Sequence, residues 1–487
     1  MVMDFLRRSV RRAAAERGLY LSVTTLLALG IGASTTVFSV VDATVLRPLP
    51  FPEPEELVFL TATLEGSDGE IQNFLVSPAN YVVMRDRSTA FRAVEAIRAS
   101  AFDLLADGEP VQVSGAEVTP GFFEALRATP VAGRLLTETD VDDAVAVLGE
   151  GAWARHFGRD PGVVGRTVDL GSVPTRIVGV LPDHLALPRE TEVWRTFRPE
   201  DVRERDQHGG GLQVIGRLAS DVALSTAQAD MDRIAGRLRE LYPRGNSERG
   251  IEVQDLKDSF VEDTEGALRA LLASVLIFMA IACANVSGLL LLRVRRRASD
   301  TALRLALGAP RSRLLAGALL EGVGMSAVGT GAGLALAAVA VPRLHGVLTV
   351  VPPGADPSAL DPRVLAAAAI LGAGTAVAFA LGPALVAAAQ APDAFLGRGR
   401  GGTASRGQRR LQQATVGLQV ALGVLLVVTA TATLGRFLDL TGTRPGYSGT
   451  DAVVLRVGAS SARYPGFAER SAFFFGLSER FRSIPGV

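Results

Sequence analysis

One cysteine, one lysine and four histidines are all that this 487-residue chain holds of three residue types on which much catalytic and metal chemistry depends. A single thiol, Cys283, excludes an internal disulfide and a cysteine-based zinc site. It lies inside an apolar run and reads as a small membrane-buried residue. His156, His184, His208 and His345 are too far apart for metal-ligand spacing, so no metal site is expected. The only lysine, Lys257, sits in Gln254-Asp-Leu-Lys257-Asp-Ser without a glycine loop. A Walker motif is therefore absent, because lysine and a following hydroxyl must meet the phosphates and magnesium there. The sequence also contains no GxSxG elbow and no HExxH. Formal net charge is zero, which gives no bulk attraction to nucleic acid.

What is present is hydrophobic length. Residues of apolar type make up 48% of the chain, gathered in runs that almost exclude charge. Five runs are expected to span a bilayer: 19–45, 267–292, 314–341, 364–389 and 414–434. At ~1.5 Å per residue each covers a hydrocarbon core of ~30 Å. Arginines set the orientation. Arg7, Arg8, Arg11, Arg12 and Arg17 precede the first run, Arg293 to Arg313 separate the second from the third, and Arg398 to Arg410 separate the fourth from the fifth. The N-terminal segment 1–18, the loop 293–313 and the linker 390–413 are therefore expected inside. Residues 46–266, the short loop 342–363 and the segment 435–487 are expected outside. The first run continues too long for a cleaved leader. Its Gly30, Gly32, Ala33 and Ser34 would let another helix approach closely, or simply face lipid.

The outer segment 46–266 opens with a proline-rich exit, Arg47–Leu57, that cannot continue a helix. Strands are expected over 57–63, 111–118, 144–148, 163–170, 175–180 and 212–218. A helix with Met231, Ile234, Leu238 and Leu241 in step is expected after a capping box, Ser225-Thr-Ala-Gln228. The acidic run Asp140–Asp143 reads as solvated surface, and His208–Gly211 as a flexible turn. The expected fold class is thus a multi-pass α-helical membrane protein with an α+β extracytoplasmic domain, large enough for its own core and for two lobes.

Several stretches carry a family likeness. Leu29–Val41 followed by Leu46-Arg-Pro-Leu-Pro50 resembles the first span of MacB-like ABC transporter permeases. Val118-Thr-Pro-Gly-Phe-Phe123, Gly133-Arg-Leu-Leu136, Asp160–Arg166 and Ile177–Pro182 resemble that family's periplasmic core, and Ile281–Val286 with Leu303–Ala309 resembles the FtsX-type permease domain. The basic linker, fifth run and following segment repeat the plan of the N-terminal half, with Phe473, Phe474, Leu477 and Phe481 marking an amphipathic helix. That plan is similar to the duplicated permeases of Acidobacteria, so the chain is expected to be a fragment whose second repeat is truncated.

The resemblance implies a permease subunit in a bacterial inner membrane, without catalytic activity or a cofactor of its own. ATP would be hydrolysed by a separate cytoplasmic ABC ATPase subunit, and the chain would act as a homodimer or an internally duplicated pseudo-dimer, with room for a periplasmic partner. The alternative is a non-transport transmembrane regulator or scaffold of envelope enzymes. The candidate ATPase-docking element is Ser299–Ala309, capped by Ser299 or Asp300, with Leu303 and Leu307 on an apolar stripe beside Arg304, and Gly308, Ala309 and Pro310 at its end. The same element could rest on lipid headgroups. Glu321, the one acid well inside the third run, is expected either to pair within the bundle or to snorkel to the near interface.

This topology is checked by single-cysteine labelling in a Cys283→Ala background. A cysteine at Ser67 should react with an impermeant reagent in intact spheroplasts, whereas one at Ser405 should react only after lysis. The reverse pattern would invert the membrane map.

Overall fold

A computed structural model describes residues 16–65, 71–105, 110–171, 173–200, 211–296, 310–345, 352–358, 360–389, 413–414, 416–431, 457, 464 and 466–484. The chain divides into two compact units. One comprises Met1–Arg47, Asp263–Thr349 and Asp356–Ala452; the other comprises Pro48–Glu262, Val350–Ala355 and Val453–Val487.

The first unit is helical. Arg17–Val41 forms an α-helix that ends in a π-turn over Asp42–Leu46. Asp258–Arg296, Arg311–His345 and Pro362–Ala389 form long helices. Among the described residues three stretches, Arg17–Leu46, Glu265–Leu290 and Leu320–Arg343, are long and apolar enough to cross a membrane. Shorter apolar helices, Pro362–Val377 and Val416–Thr431, lie on the fourth and fifth apolar runs. Helix Arg17–Val41 is the hub. Its Val23, Leu27 and Ile31 pack with Met279, Val286, Leu290 and Met325, and Val37, Val40 and Val41 pack with Leu268. Gly32 faces Gly333, where a Cβ would stand 3.0 Å from the Gly333 carbonyl oxygen. Gly30 instead meets Met279. Gly32 thus lets backbone meet backbone, and Gly30 makes room for the Met279 side chain.

The second unit is a mixed α+β domain on an eleven-stranded sheet. Its strands are β1 (Leu57–Glu65), β2 (Ile71–Phe74), β3 (Phe91–Leu105), β4 (Pro110–Val118), β5 (Ala132–Gly133), β6 (Val145–Gly149), β7 (Thr167–Leu170), β8 (Val173–Leu181), β9 (Val193–Thr196), β10 (Gln213–Leu218) and β11 (Arg249–Asp255). The order is β11-β1-β10-β3-β4-β9-β6-β8-β5, with β2 on β1 and β7 on β3 and β8. Strand β3 joins two lobes, since residues 91–97 pair with β10 and residues 97–105 pair with β4. Both faces of the sheet are covered. Along β1, Leu57 and Phe59 enter one core while Val58 and Leu60 enter another, as the two-residue period of a strand requires. Along β6, Val145 and Val147 go one way and Ala146 and Leu148 the other.

The expected strand over 163–170 is half right. Pro161–Val163 is a 3-10 turn held by the Asp160 carboxylate, which accepts the Gly162 amide at 2.9 Å, and β7 begins only at Thr167. The Ser225–Gln228 capping box does not form. Helix Leu224–Leu241 starts without a side-chain cap. Gln228 instead turns to β11, donating to the Ile251 carbonyl and accepting the Val253 amide, each at 2.8 Å. Strand pairing offered it two backbone partners where a cap would have offered one. Nor is Asp140 solvated. It is 1% exposed, accepts two guanidinium N–H groups of Arg134 and caps its own turn through Thr137.

The stretches that resemble the periplasmic core act as joints of this fold. Thr119 bonds the Ala96 amide at 2.8 Å, and Phe122 and Phe123 enter the core. Gly133 has φ +68°, and a Cβ there would stand 2.3 Å from the Val178 carbonyl oxygen. Gly179 lies as close to the Arg134 backbone, so neither position admits a side chain. Arg217 on β10 is the largest buried charge. It is 1% exposed and donates to the carbonyls of Ala125, Pro52 and Glu53 and to the Glu56 carboxylate. The proline-rich segment Pro48–Glu56 is thereby fastened to the domain, with Leu49 and Phe51 each 4% exposed in its core.

Glu95 on β3 has its carboxyl pushed up to about 7 by burial, with Glu138 adding repulsion, while its bonds to Thr119 and the Gly121 amide and the charge of Arg85 pull the other way. A raised acid favours folding while protonated. Its contribution is complete below the unfolded carboxylate value near 4.5 and is lost as pH rises through about 7. In a fragment of residues 48–262, Glu95→Gln should therefore gain stability over the parent as pH rises from 5 to 8, by about 2–3 kcal/mol. A constant difference in melting temperature across that range would refute it. The fragment itself should be soluble and melt cooperatively, because its cores are filled from within that segment. Aggregation under every condition tried would argue that the spans are needed for folding.

Candidate functional site

Glu321 stands about 15 Å along the helix that begins at Arg311, counted at helical rise. An ionised carboxylate there must be paired or reach water. The fold pairs it. Arg293, near the end of helix Asp258–Arg296, places Nη1 2.7 Å from Glu321 Oε1 and Nε 2.7 Å from Glu16 Oε2. Tyr20, on the first helix, donates its hydroxyl to Glu321. The Arg293 guanidinium also lies over the Tyr20 ring, 5.4 Å from its centre, and its Nη2 donates to the Tyr20 hydroxyl at 3.4 Å.

Four side chains from three helices thus form one cluster. The Arg293 side chain is 10% exposed and that of Glu321 17%, so water screens the pair little and the interaction depends on geometry. Arginine suits this position because one planar fork can reach two carboxylates and stack on a ring at once. Glu321 has Arg293 and Tyr20 as partners within the helical unit. Its partners were not singled out in the sequence. In the sequence Arg293 is one of the arginines between the second and third apolar runs, and nothing there marks Tyr20. The available signal was spacing: Arg293 closes one apolar run and Glu321 lies a few turns into the next, so an antiparallel pair of helices brings them level.

The cluster brackets the loop in which docking is expected. Ser299–Ala309, and with it Asp300, Leu303, Arg304, Leu307, Gly308 and Ala309, lies outside the described residues. Among the described residues, no group of three histidine, cysteine, aspartate or glutamate side chains could hold a metal ion. Cys283 is half-buried against the first helix's apolar cluster.

A second polar cluster lies at the other end of the first helix. Asp42, its side chain 3% exposed, receives Arg47 Nε at 2.8 Å, and Arg47 Nη2 reaches Asp361 at 2.7 Å. Arg363 Nη1 approaches Asp42 at 3.9 Å. Both ends of this helix therefore carry charge, paired at one end with Arg293 of another helix and at the other with Arg47, which directly follows the first helix.

Residues 22–234 match the family described as MacB-like periplasmic core domain. Among curated proteins, the chain is 27% identical over 209 residues to a macrolide export ATP-binding/permease protein MacB of Aggregatibacter actinomycetemcomitans, covering 42% of this chain and 32% of that protein. It is 27% identical over 239 residues to a MacB of Rhodopseudomonas palustris, covering 49% and 35%. It is also 27% identical over 231 residues to a pyoverdine export ATP-binding/permease protein of Pseudomonas syringae pv. syringae, covering 44% and 33%. The chain spans about a third of the length of these relatives. Among solved structures, the periplasmic region of MacB from Actinobacillus actinomycetemcomitans aligns at 20% identity and a TM-score of 0.31, over 42% of this chain and 92% of that one. A permease domain from Porphyromonas gingivalis aligns at 14% identity and a TM-score of 0.34, over 42% and 92%. Residues 22–234 thus match a MacB-like periplasmic core domain, in a chain that also carries apolar helices long enough to span a membrane.

Proposed function

We propose that this chain is the permease subunit of a MacB/FtsX-type ABC transporter, coupling ATP hydrolysis on a separate subunit to movement of its outer domain. The observation that supports this most is the Glu16–Tyr20–Arg293–Glu321 cluster. It ties the two helices that flank the basic loop 293–313 to the first helix, whose far end leads into the outer domain. A displacement of that loop would act on Arg293 and Glu321 together. Neither could leave the other without exposing a charge to the bilayer, at a cost of several kcal/mol. Ion pairing thus makes the three helices a linked element through which a motor could act.

The motor is assigned to a partner because the sequence has no Walker motif. No catalytic step or cofactor is assigned to this chain. The docking element remains Ser299–Ala309 on the strength of its cap, its apolar stripe and its resemblance to FtsX-type permeases. We further propose that the chain works as a pair, with a second copy or a duplicated second half. Helix Asp258–Arg296 keeps Asn285 on an exposed side together with Ala280 and Gly288, and an amide at membrane depth is better satisfied against another helix than against lipid.

Leu307→Asp places a carboxylate on the proposed apolar contact, and burying it unpaired costs several kcal/mol. At matched membrane expression, the ATPase should co-purify with the wild-type chain and be largely lost from the variant. Equal recovery from both would move docking elsewhere and leave this helix on the lipid surface. If no ATPase accompanies the wild type, the scaffold reading replaces the transporter one; if envelope hydrolase activity depends on this protein, the regulator reading does.

A further inference from the structure

The outer end of the first helix does not run out as a simple α-helix. Asp42–Leu46 is a π-turn, closed by the Arg47 amide on the Asp42 carbonyl at 2.9 Å. Such single turns usually persist where a local requirement outweighs regular packing. Here the requirement is Arg47. The residue has φ −74° and ψ 138°, the extended conformation imposed on a residue that precedes proline, and Pro48 follows. Its guanidinium spans two carboxylates, Asp42 at 2.8 Å and Asp361 at 2.7 Å.

The two acids differ in kind. Asp42 is buried, with a side chain 3% exposed, and without a cation it would be an unpaired charge in the bundle. Asp361 is the N-cap of helix Pro362–Ala389. Its Oδ1 accepts the Arg363 amide at 2.8 Å, and its carbonyl accepts the Leu365 amide at 2.8 Å. These bonds fix Asp361 to the helix it starts, and Pro362 at the first helical position fixes the entry further. Arg47 therefore holds one residue that belongs rigidly to the first helix and one that belongs rigidly to the fourth. Arg363 adds a third, looser tie, its side chain 62% exposed and 3.9 Å from Asp42, where an exposed pair contributes little.

We propose that Arg47 is a clasp: it locks the exit of the first helix to the N-cap of the fourth, so that these two helix ends move as one piece. The residue at the start of the proline-rich segment is then positioned by two helices, not one, and a shift of the fourth helix's outer end is delivered to Arg47 directly. This goes beyond the permease reading and does not depend on which motor, if any, acts on the chain.

The test uses the full chain in lipid bilayers, with Cys283→Ala and spin labels on cysteines at Leu46 and Leu360, which are 54% and 69% exposed and adjoin the clasp. The parent should show strong short-range dipolar broadening. Asp361→Ser should lose it, because serine still caps a helix but cannot reach the guanidinium. Asp361→Glu should keep it, because the carboxylate is retained. Arg47→Lys should lose part of it, since one ammonium cannot reproduce a fork across two carboxylates; it also reads the clasp independently of the cap should Asp361→Ser lose helical content. Undiminished broadening in both Asp361→Ser and Arg47→Lys would overturn the clasp. So would loss in Asp361→Glu as complete as in Asp361→Ser, which would make Asp361 a cap alone.

Discussion

Charge neutralisation governs the helical unit. Apolar helices can slide and rotate in lipid with little penalty, but a carboxylate or guanidinium at membrane depth cannot lose its partner cheaply. Arg293 fixes the inner register of three helices through Glu16, Tyr20 and Glu321. Asp42 and Arg47 fix the outer end of the same first helix. Between these two points the packing is apolar or made of small residues, which specifies closeness but not register. The arrangement concentrates geometric information in two polar clusters and leaves the remaining surface permissive.

The outer domain uses the same device under different rules. Arg217 is as buried as any leucine of the core, yet its partners are mostly backbone carbonyls. Three carbonyls and one carboxylate satisfy the fork without bringing in a second full set of charges. The domain thereby holds a proline-rich strap that has few backbone amides with which to hold itself. Prolines at 48, 50, 52 and 54 remove donors from alternate positions, so the fastening has to come from acceptors, and a buried arginine is the side chain best equipped to find them.

What could be read from sequence divides along physical lines. The apolar runs were legible as helices, three of them long and apolar enough to cross a membrane among the described residues and two shorter; the close backbone contacts of Gly133 and Gly179 were not. Nor was the longest strand. Phe91–Leu105 holds four alanines, two arginines and two leucines, residues that favour helix in isolation, and it is a strand because β10 and β4 flank it. Asp140 reads as one of three surface acids until Arg134 folds onto it. Glu321 stood out because a lone acid in an apolar run has few alternatives, whereas Arg293, Arg47 and Arg217 were hidden among many arginines. Pair identity is a three-dimensional property, and for abundant residue types composition gives no hint of it.

The contact of Gly32 with Gly333 has a mechanical meaning of its own. Helices that interlock through large side chains must lift each knob out of its hole before they can translate. The point where Gly32 meets Gly333 has no such teeth. Displacement along it exchanges one set of van der Waals contacts for a nearly equivalent set, which is the low-friction condition for shear between packed helices. The first helix thus meets helix Arg311–His345 through one toothless contact, with Leu27 seated over Gly329 and packed with Met325 beside it, and it carries ion pairs near both ends.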